Sequence, residues 1–398
     1  MTEAPPEARD DPRRPKHFEA GDGLRAISCL AVALFHVSVA SALRYGDFSP
    51  RFHDSYGQVF GGFIVGLRCS VPIFLSLSGY LVGGPFVRAW VEGRRMPGLS
   101  KYARRRILRI GPAFWVVLVY MLIRHESSHP SAPHMLSYFA FLHTEFPTNF
   151  MNTYGQQLWT VDVEAFFYVA APLLAVGLIA LWPRIVRGGS TEGRRRAFAV
   201  VGLLLMAVGS IFFAGHYDTE GAVGKSLLAW WVAFVPGILL AVMEVPARTL
   251  LPGTRLGKGL SFGALLMALA AFVLLGRMRP TLYYLVPTAD IIGGSFLVVS
   301  AMIWQWTTNT AWRPLVSRPL AAVGRWSFGI YLWHISVLYE LLRIVPAHKF
   351  TPPVQVAIMI VPLWGLSIAL GALSWRFIEA PLVRRGRKPV PAEAAVLA

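Results

Sequence analysis

The chain of 398 residues is 55% hydrophobic and only 15% charged, with 13 Trp and 25 Phe, whereas soluble domains carry about 25% charged residues. This composition excludes an ordinary soluble enzyme and predicts an all-α, polytopic membrane protein. The formal charge of +17 then reads as lysine and arginine gathered at the cytoplasmic face of a membrane, and no nucleic-acid surface is expected.

Residues 1–22, with Pro5, Pro6, Pro12 and Pro15 among charges of both signs, are expected to be a disordered cytoplasmic tail. About ten apolar runs of near-membrane length follow: 24–43, 62–84, 107–123, 158–182, 197–215, 226–243, 259–276, 287–306, 322–342 and 354–377. They define one transmembrane domain, residues 23–382, and leave 383–398 as a basic, disordered tail. With the N-terminus inside, 29 of the 38 basic residues fall on the cytoplasmic side and 8 outside, so both termini are expected in the cytoplasm of a multi-pass protein of the inner (plasma) membrane. Ala40-Ser41-Ala42 resembles a cleavage site, but the leader would be long and mixed in charge, and the segment is kept as a retained first span.

In the first span only Cys29 and His36 are ionisable between Ala26 and Leu43, and Arg25 stands at its mouth. His36 stands eleven positions after Arg25, about 20° beyond three full turns and roughly 16 Å along the axis, so the two share one face. The cation belongs at the headgroups and the imidazole near mid-membrane, where an ionisable group is a functional hypothesis by default. The plainer alternative is an imidazole bonded to a neighbouring helix. Cys29 and Cys69 both lie in apolar runs, which disfavours a thiolate nucleophile and gives no disulfide framework.

Segment 94–110, with Lys101, Arg104, Arg105, Arg106 and Arg109 among apolar residues, reads as a basic amphipathic helix at the inner surface, suited to anionic membrane lipids or to an anionic cosubstrate. The external segment 124–157 contains a short apolar stretch, Met135–His143, too brief to span. Its histidines, His125, His129, His134 and His143, match no ligand spacing and are expected in a solvated loop, with no metal. No Walker, dinucleotide-binding, nucleophile-elbow or zinc-protease motif is present. His17 and Asp22 fit an H-x-x-x-x-D pattern, but two residues match by chance.

Polar groups recur inside the apolar runs in four stretches: Ser76-Leu-Ser78-Gly-Tyr80, Leu158 to Tyr168, Ser327 to His334, and Trp375 to Pro381. Together with Arg25 and His36 as an R-x10-H pair and Arg105-Arg106-Ile-Leu-Arg109-Ile-Gly-Pro112, these resemble the acyltransferase-3 family of integral membrane O-acyltransferases. The likeness runs from residue 22 to about 382, with Thr160 where the family often has Ser, Phe328 where it often has Tyr, and Asp162 as an extra carboxylate. It implies an acyl-CoA-dependent transferase, most simply using acetyl-CoA as cosubstrate with no permanently bound cofactor. The acceptor would be a hydroxyl of a glycan, a lipid-linked sugar or a secondary metabolite. Some relatives append an esterase-like domain, and a stand-alone membrane form is expected here.

Acyl transfer from a thioester to a hydroxyl needs a base, a hydrogen-bonding partner for the reacting groups, and cations for the carrier's phosphates. His36 is the candidate base; Glu164 or Asp162 would orient an imidazole or the acceptor hydroxyl, and His334 supplies a second polar group. Catalysis is therefore assigned to His36, Glu164 and His334, cosubstrate binding to Arg25, Arg105, Arg106 and Arg109, and substrate contacts to Asp162, Tyr331 and Ser78. Glu379 is expected to pair with Arg376, and Ser78-Gly79 to serve close helix packing as readily as chemistry. The rival reading is a proton-coupled transporter with His36, Glu164 and His334 as a relay.

Overall fold

A computed structural model describes residues 18–45, 53–124, 130–144, 155–216, 223–277, 286–345 and 350–387. Among them the chain is helical with no strands. In order the helices are α1 (Ala20–Tyr45), α2 (His53–Gly66), α3 (Ser70–Ser78), α4 (Gly84–Val91), α5 (Leu99–Arg124), α6 (Ala132–Phe139) and α7 (Trp159–Ile185). Then come α8 (Glu192–His216), α9 (Leu227–Leu250), α10 (Arg255–Arg277), α11 (Val286–Thr308), α12 (Arg318–Ile344), α13 (Pro352–Ser374) and α14 (Ala380–Arg387).

Among the described residues, 9 helical runs are long and apolar enough to cross a membrane. The expected span left out is the ninth, 322–342, which corresponds to α12; at 27 residues it has the length but carries Arg318, Arg325, Glu340 and Arg343. The protein is thus a multi-pass membrane protein. Apolar side chains such as Val169, Leu173, Val176 and Phe212 face outward, as a lipid-facing surface requires.

Several boundaries differ from the sequence reading. The first helix begins at Ala20, with Phe18 and Ala20 already buried, so residues 18–22 are packed and not part of a tail; residues 1–17 lie outside the described set. The second span is a run from Val59 to Val91 assembled from pieces, with a 3-10 turn at Leu67–Cys69 and a π-helical turn at Gly79–Gly83. The basic segment is not a separate surface helix: α5 continues through Pro112 from Leu99 to Arg124, with no break between the arginines and the apolar run. At the other end, α14 carries the helix to Arg387, into the expected tail.

Two features fix the depth of the helices that bear the polar groups. Where the π turn meets α9, a Cβ on Gly79 would stand 2.0 Å from the Phe234 carbonyl oxygen, and one on Gly237 would stand 1.8 Å from the Ser76 oxygen. Two glycines therefore let the backbones touch. Buried charges are paired, as a low-dielectric interior demands. Glu244 of α9 receives Arg88 at 2.5 Å and the Tyr80 hydroxyl at 3.1 Å, and Arg68 of the second span pairs with Asp290 of α11 at 3.0 Å. Helices α1, α12 and α13 pack on one another and close the other side of the polar interior.

Candidate active site

On α7, Thr160, Glu164 and Tyr168 recur every four residues and so line one face of the helix. Their partners come from the neighbouring helices. Ser78, the last residue before the π turn, donates its hydroxyl to Glu164 Oε1 at 2.6 Å, and Tyr168 donates to the same oxygen at 2.7 Å. Glu164 Oε2 has no partner among the described residues, and the side chain is half-buried. Below the stripe, the Thr160 hydroxyl donates to the Tyr331 hydroxyl at 2.7 Å, which donates to the Gln157 carbonyl at 3.0 Å. Buried Gln157 is held in turn by its amide bond to the Leu332 carbonyl at 2.9 Å.

These groups surround an open-mouthed cavity lined by Arg25, Ser78, Arg109, Thr160, Glu164, Tyr168, Ser327 and Tyr331 with an apolar wall that includes Phe74, Leu75 and Phe328. Arg25 reaches it from α1 with Asp22 at 3.2 Å from its guanidinium, and Arg109 enters from α5. A cavity with one fixed carboxylate and two guanidinium groups suits a ligand with an anionic group and a hydrogen-bond donor.

The two histidines lie beyond Tyr331, outside the wall of that cavity. His36 Nδ1 is 3.0 Å from His334 Nε2, with the rings 10° from parallel and their centroids 5.1 Å apart, so they meet edge to edge. His334 is fully buried, its Nδ1 stands 2.6 Å from the Tyr331 carbonyl oxygen, and its ring touches the Tyr331 ring. The sequence-predicted groups thus come together in two halves joined by one tyrosine. Arg25, Ser78, Glu164 and Arg109 line one half with the Tyr331 side chain; His36 and His334 form the other on the Tyr331 backbone.

Other expected residues stand elsewhere. Asp162 does not line the cavity: it is fully buried, with Oδ1 2.8 Å from His143 Nδ1 and Oδ2 accepting the Thr144 amide at 3.0 Å. This corrects the solvated-loop expectation for His143, which is buried against the Tyr138 ring at 4.6 Å. The loop folds inward because the aromatic side chains of 138–143 pack on Phe114. His134 is bonded to Ser131 at 2.6 Å, and His125 and His129 lie outside the described residues. Arg106 stacks over the rings of Tyr102 and Tyr168 at 5.7 and 5.5 Å, behind the cavity wall, and Arg105 is exposed away from it. Glu379 accepts a bond from Ser374 at 3.1 Å while the Arg376 guanidinium lies over Phe377, so the expected ion pair is not formed. Among the described residues no three His, Cys, Asp or Glu side chains are grouped to hold a metal ion.

Sequence reading missed Thr160, Tyr168 and Gln157 as members of the site. The signal for the first two was present in their four-residue offsets from Glu164. Gln157 lies two residues before the helix and gave none.

Comparison with known proteins shows the family. Residues 19–372 match the family described as acyltransferase domain. The peptidoglycan O-acetyltransferase OatA of Listeria monocytogenes is 24% identical over 93% of this chain and 56% of its own length. The O-acetyltransferase OatA of Staphylococcus aureus is 21% identical over 94% and 58% respectively. The putative peptidoglycan O-acetyltransferase YrhL of Bacillus subtilis is 24% identical over 92% of the chain and 55% of its own length. The chain therefore spans little more than half the length of these curated relatives. No solved structure matches it.

Proposed function

The chain belongs to this acyltransferase domain family, and from that premise we propose that it moves an acyl group, acetyl in the first instance, from acyl-CoA to a hydroxyl of a sugar-like acceptor. The observation that carries the reading is the cavity in which Arg25 and Arg109 share a wall with Glu164, whose Oε1 is held by two hydroxyls while Oε2 is left over. The guanidinium groups suit carrier phosphates, and the spare carboxylate oxygen suits an incoming hydrogen-bond donor. The glycan class of acceptor is supported by the relatives, whose names specify peptidoglycan. Family membership favours this reading over the transporter.

The test is direct. Purified full-length protein in detergent, given labelled acetyl-CoA and muropeptide fragments, is expected to release CoA thiol and label the glycan. A transporter would leave the thioester intact, and thiol release without glycan labelling would point to a different hydroxyl acceptor. Replacement of His36 by alanine is expected to abolish transfer with little loss of thermal stability.

Sidedness belongs to the same proposal. With 29 of the 38 basic residues assigned to the cytoplasmic side, Arg25 and Arg109 face the compartment that holds acyl-CoA. Sealed vesicles with acetyl-CoA confined to the inner-face compartment and acceptor to the other are expected to support transfer. Transfer only when both share the cytoplasmic side would restrict acceptors to cytosolic molecules.

A further inference from the structure

A carbonyl oxygen can only accept. The Tyr331 carbonyl lies 2.6 Å from His334 Nδ1, so Nδ1 of His334 carries its ring proton. A neutral imidazole has one N–H, which leaves His334 Nε2 with a lone pair. That nitrogen is 3.0 Å from His36 Nδ1, and the bond between them requires the proton to sit on His36. His36 Nε2 is then the remaining lone pair. It has no partner among the described residues, on a side chain that is only half-buried, whereas both nitrogens of His334 are engaged and its ring is fully buried. No carboxylate bonds to either ring among the described residues, so the order of protons is set by one backbone carbonyl at the end of the row.

We infer that His334 is a positioning residue whose task is to hold the His36 proton on Nδ1, and that His36 Nε2 is the atom that accepts the proton of the acceptor hydroxyl. The inference rests on the acyl-transfer reading and assigns its base to one nitrogen. In the reaction the acceptor O–H proton passes to His36 Nε2 while the oxygen bonds to the acyl carbonyl carbon. The carbon–sulfur bond then breaks, and the imidazolium returns its proton to the departing thiolate. While His36 is charged, its Nδ1–H bond to His334 becomes charge-assisted and strengthens, so stabilisation is greatest when it is needed. Tyr331 thereby serves both halves of the site, its hydroxyl in the cavity network and its carbonyl at the end of the histidine row.

The experiment reads the proton position without substrate. Nitrogen-15 histidine-labelled full-length protein in detergent is examined by NMR, with the His36 signals identified by their loss in His36→Gln. The native protein is expected to carry the His36 proton on Nδ1, and His334→Ala is expected to redistribute it toward Nε2. In His334→Gln the side-chain carbonyl can still accept from Nδ1, and the native tautomer is expected to persist. Kinetically, His334→Ala should lower kcat about 10²-fold, within the range for a general base, with KM for acetyl-CoA unchanged, and His334→Gln should recover about tenfold of that. A native His36 protonated on Nε2, or an alanine variant with native tautomer and kcat, overturns the inference, as does a glutamine variant no better than alanine. If His334→Ala does not fold, the native tautomer and the glutamine variant still decide. Absence of thiol release by the native protein would instead count against acyl transfer while the tautomer result stood.

Discussion

Asp162 and Glu164 are both acidic, both on α7 and about 200° apart around it, since each residue turns the helix by about 100°. Asp162 faces the 138–144 loop with no exposed surface, one oxygen 2.8 Å from the His143 ring nitrogen and the other accepting the Thr144 amide. Glu164 faces the cavity, has two donors on one oxygen and keeps the other for a visitor. The difference shows that burial of a carboxylate in a membrane protein does not by itself mark chemistry. The mark is an unused lone pair held rigidly toward open space. Asp162 instead anchors the loop and, through two residues of rigid helix, fixes the rotation at which Glu164 points inward.

The contrast can be broken from either end. The largest effect is expected at Asp162→Ala, which leaves His143 buried without its partner. Stability should fall by about 1–3 kcal/mol for each buried polar group left unsatisfied, visible as a lower unfolding temperature in detergent. His143→Ala should lower it too, and the double variant should cost less than the sum, because the two side chains form one interaction. A thermally unaffected Asp162→Ala would remove the structural assignment.

Next, Glu164→Gln should leave the unfolding temperature near native and lower kcat about 10²-fold, the scale of losing an aligned reactant. Measured in the CoA-release assay, a glutamine variant with native kcat would erase the distinction between the two carboxylates. Ser78→Ala and Tyr168→Phe each remove one donor from Glu164 Oε1. Each is expected to cost about tenfold in activity, since a bond to a charged group contributes about 1.5–3 kcal/mol. The smallest effect is expected at Arg25→Lys, a severalfold rise in KM for acetyl-CoA with kcat preserved, as a point charge replaces a planar fork.

Much of this arrangement was legible beforehand. The apolar runs located the spans, and the Arg25 to His36 offset and the polar islands on α3, α7 and α12 named most of the groups that gather around Tyr331. What could not be read was which face of α7 meets the cavity. Periodicity separates Asp162 from Glu164, but only the Ser78 hydroxyl and the inward-folded His143 assign each face its surroundings, and both come from distant parts of the chain. The edge-to-edge meeting of His36 with His334 was hidden for the same reason, being a contact across 298 positions. The continuity of α5 was misjudged because a run of arginines looks like a boundary, whereas arginine is a good helix former and Pro112 is accommodated within the helix.

The helix that carries Tyr331 and His334 is also, among the long helices described, the one that falls outside the apolar set, with charges near both ends and a buried imidazole in its middle. A segment of that kind partitions poorly into lipid alone, since each charged residue opposes entry. Helices α1 and α13 pack along it, α1 meets its imidazole through His36, and Glu340 is paired with Arg124 of α5. During biogenesis the histidine row therefore cannot form in a half-inserted chain: the imidazole of α12 is sheltered only once α1, which bears its partner, has closed over it. Seating of that helix and completion of the histidine pair are therefore coupled through one contact between α1 and α12.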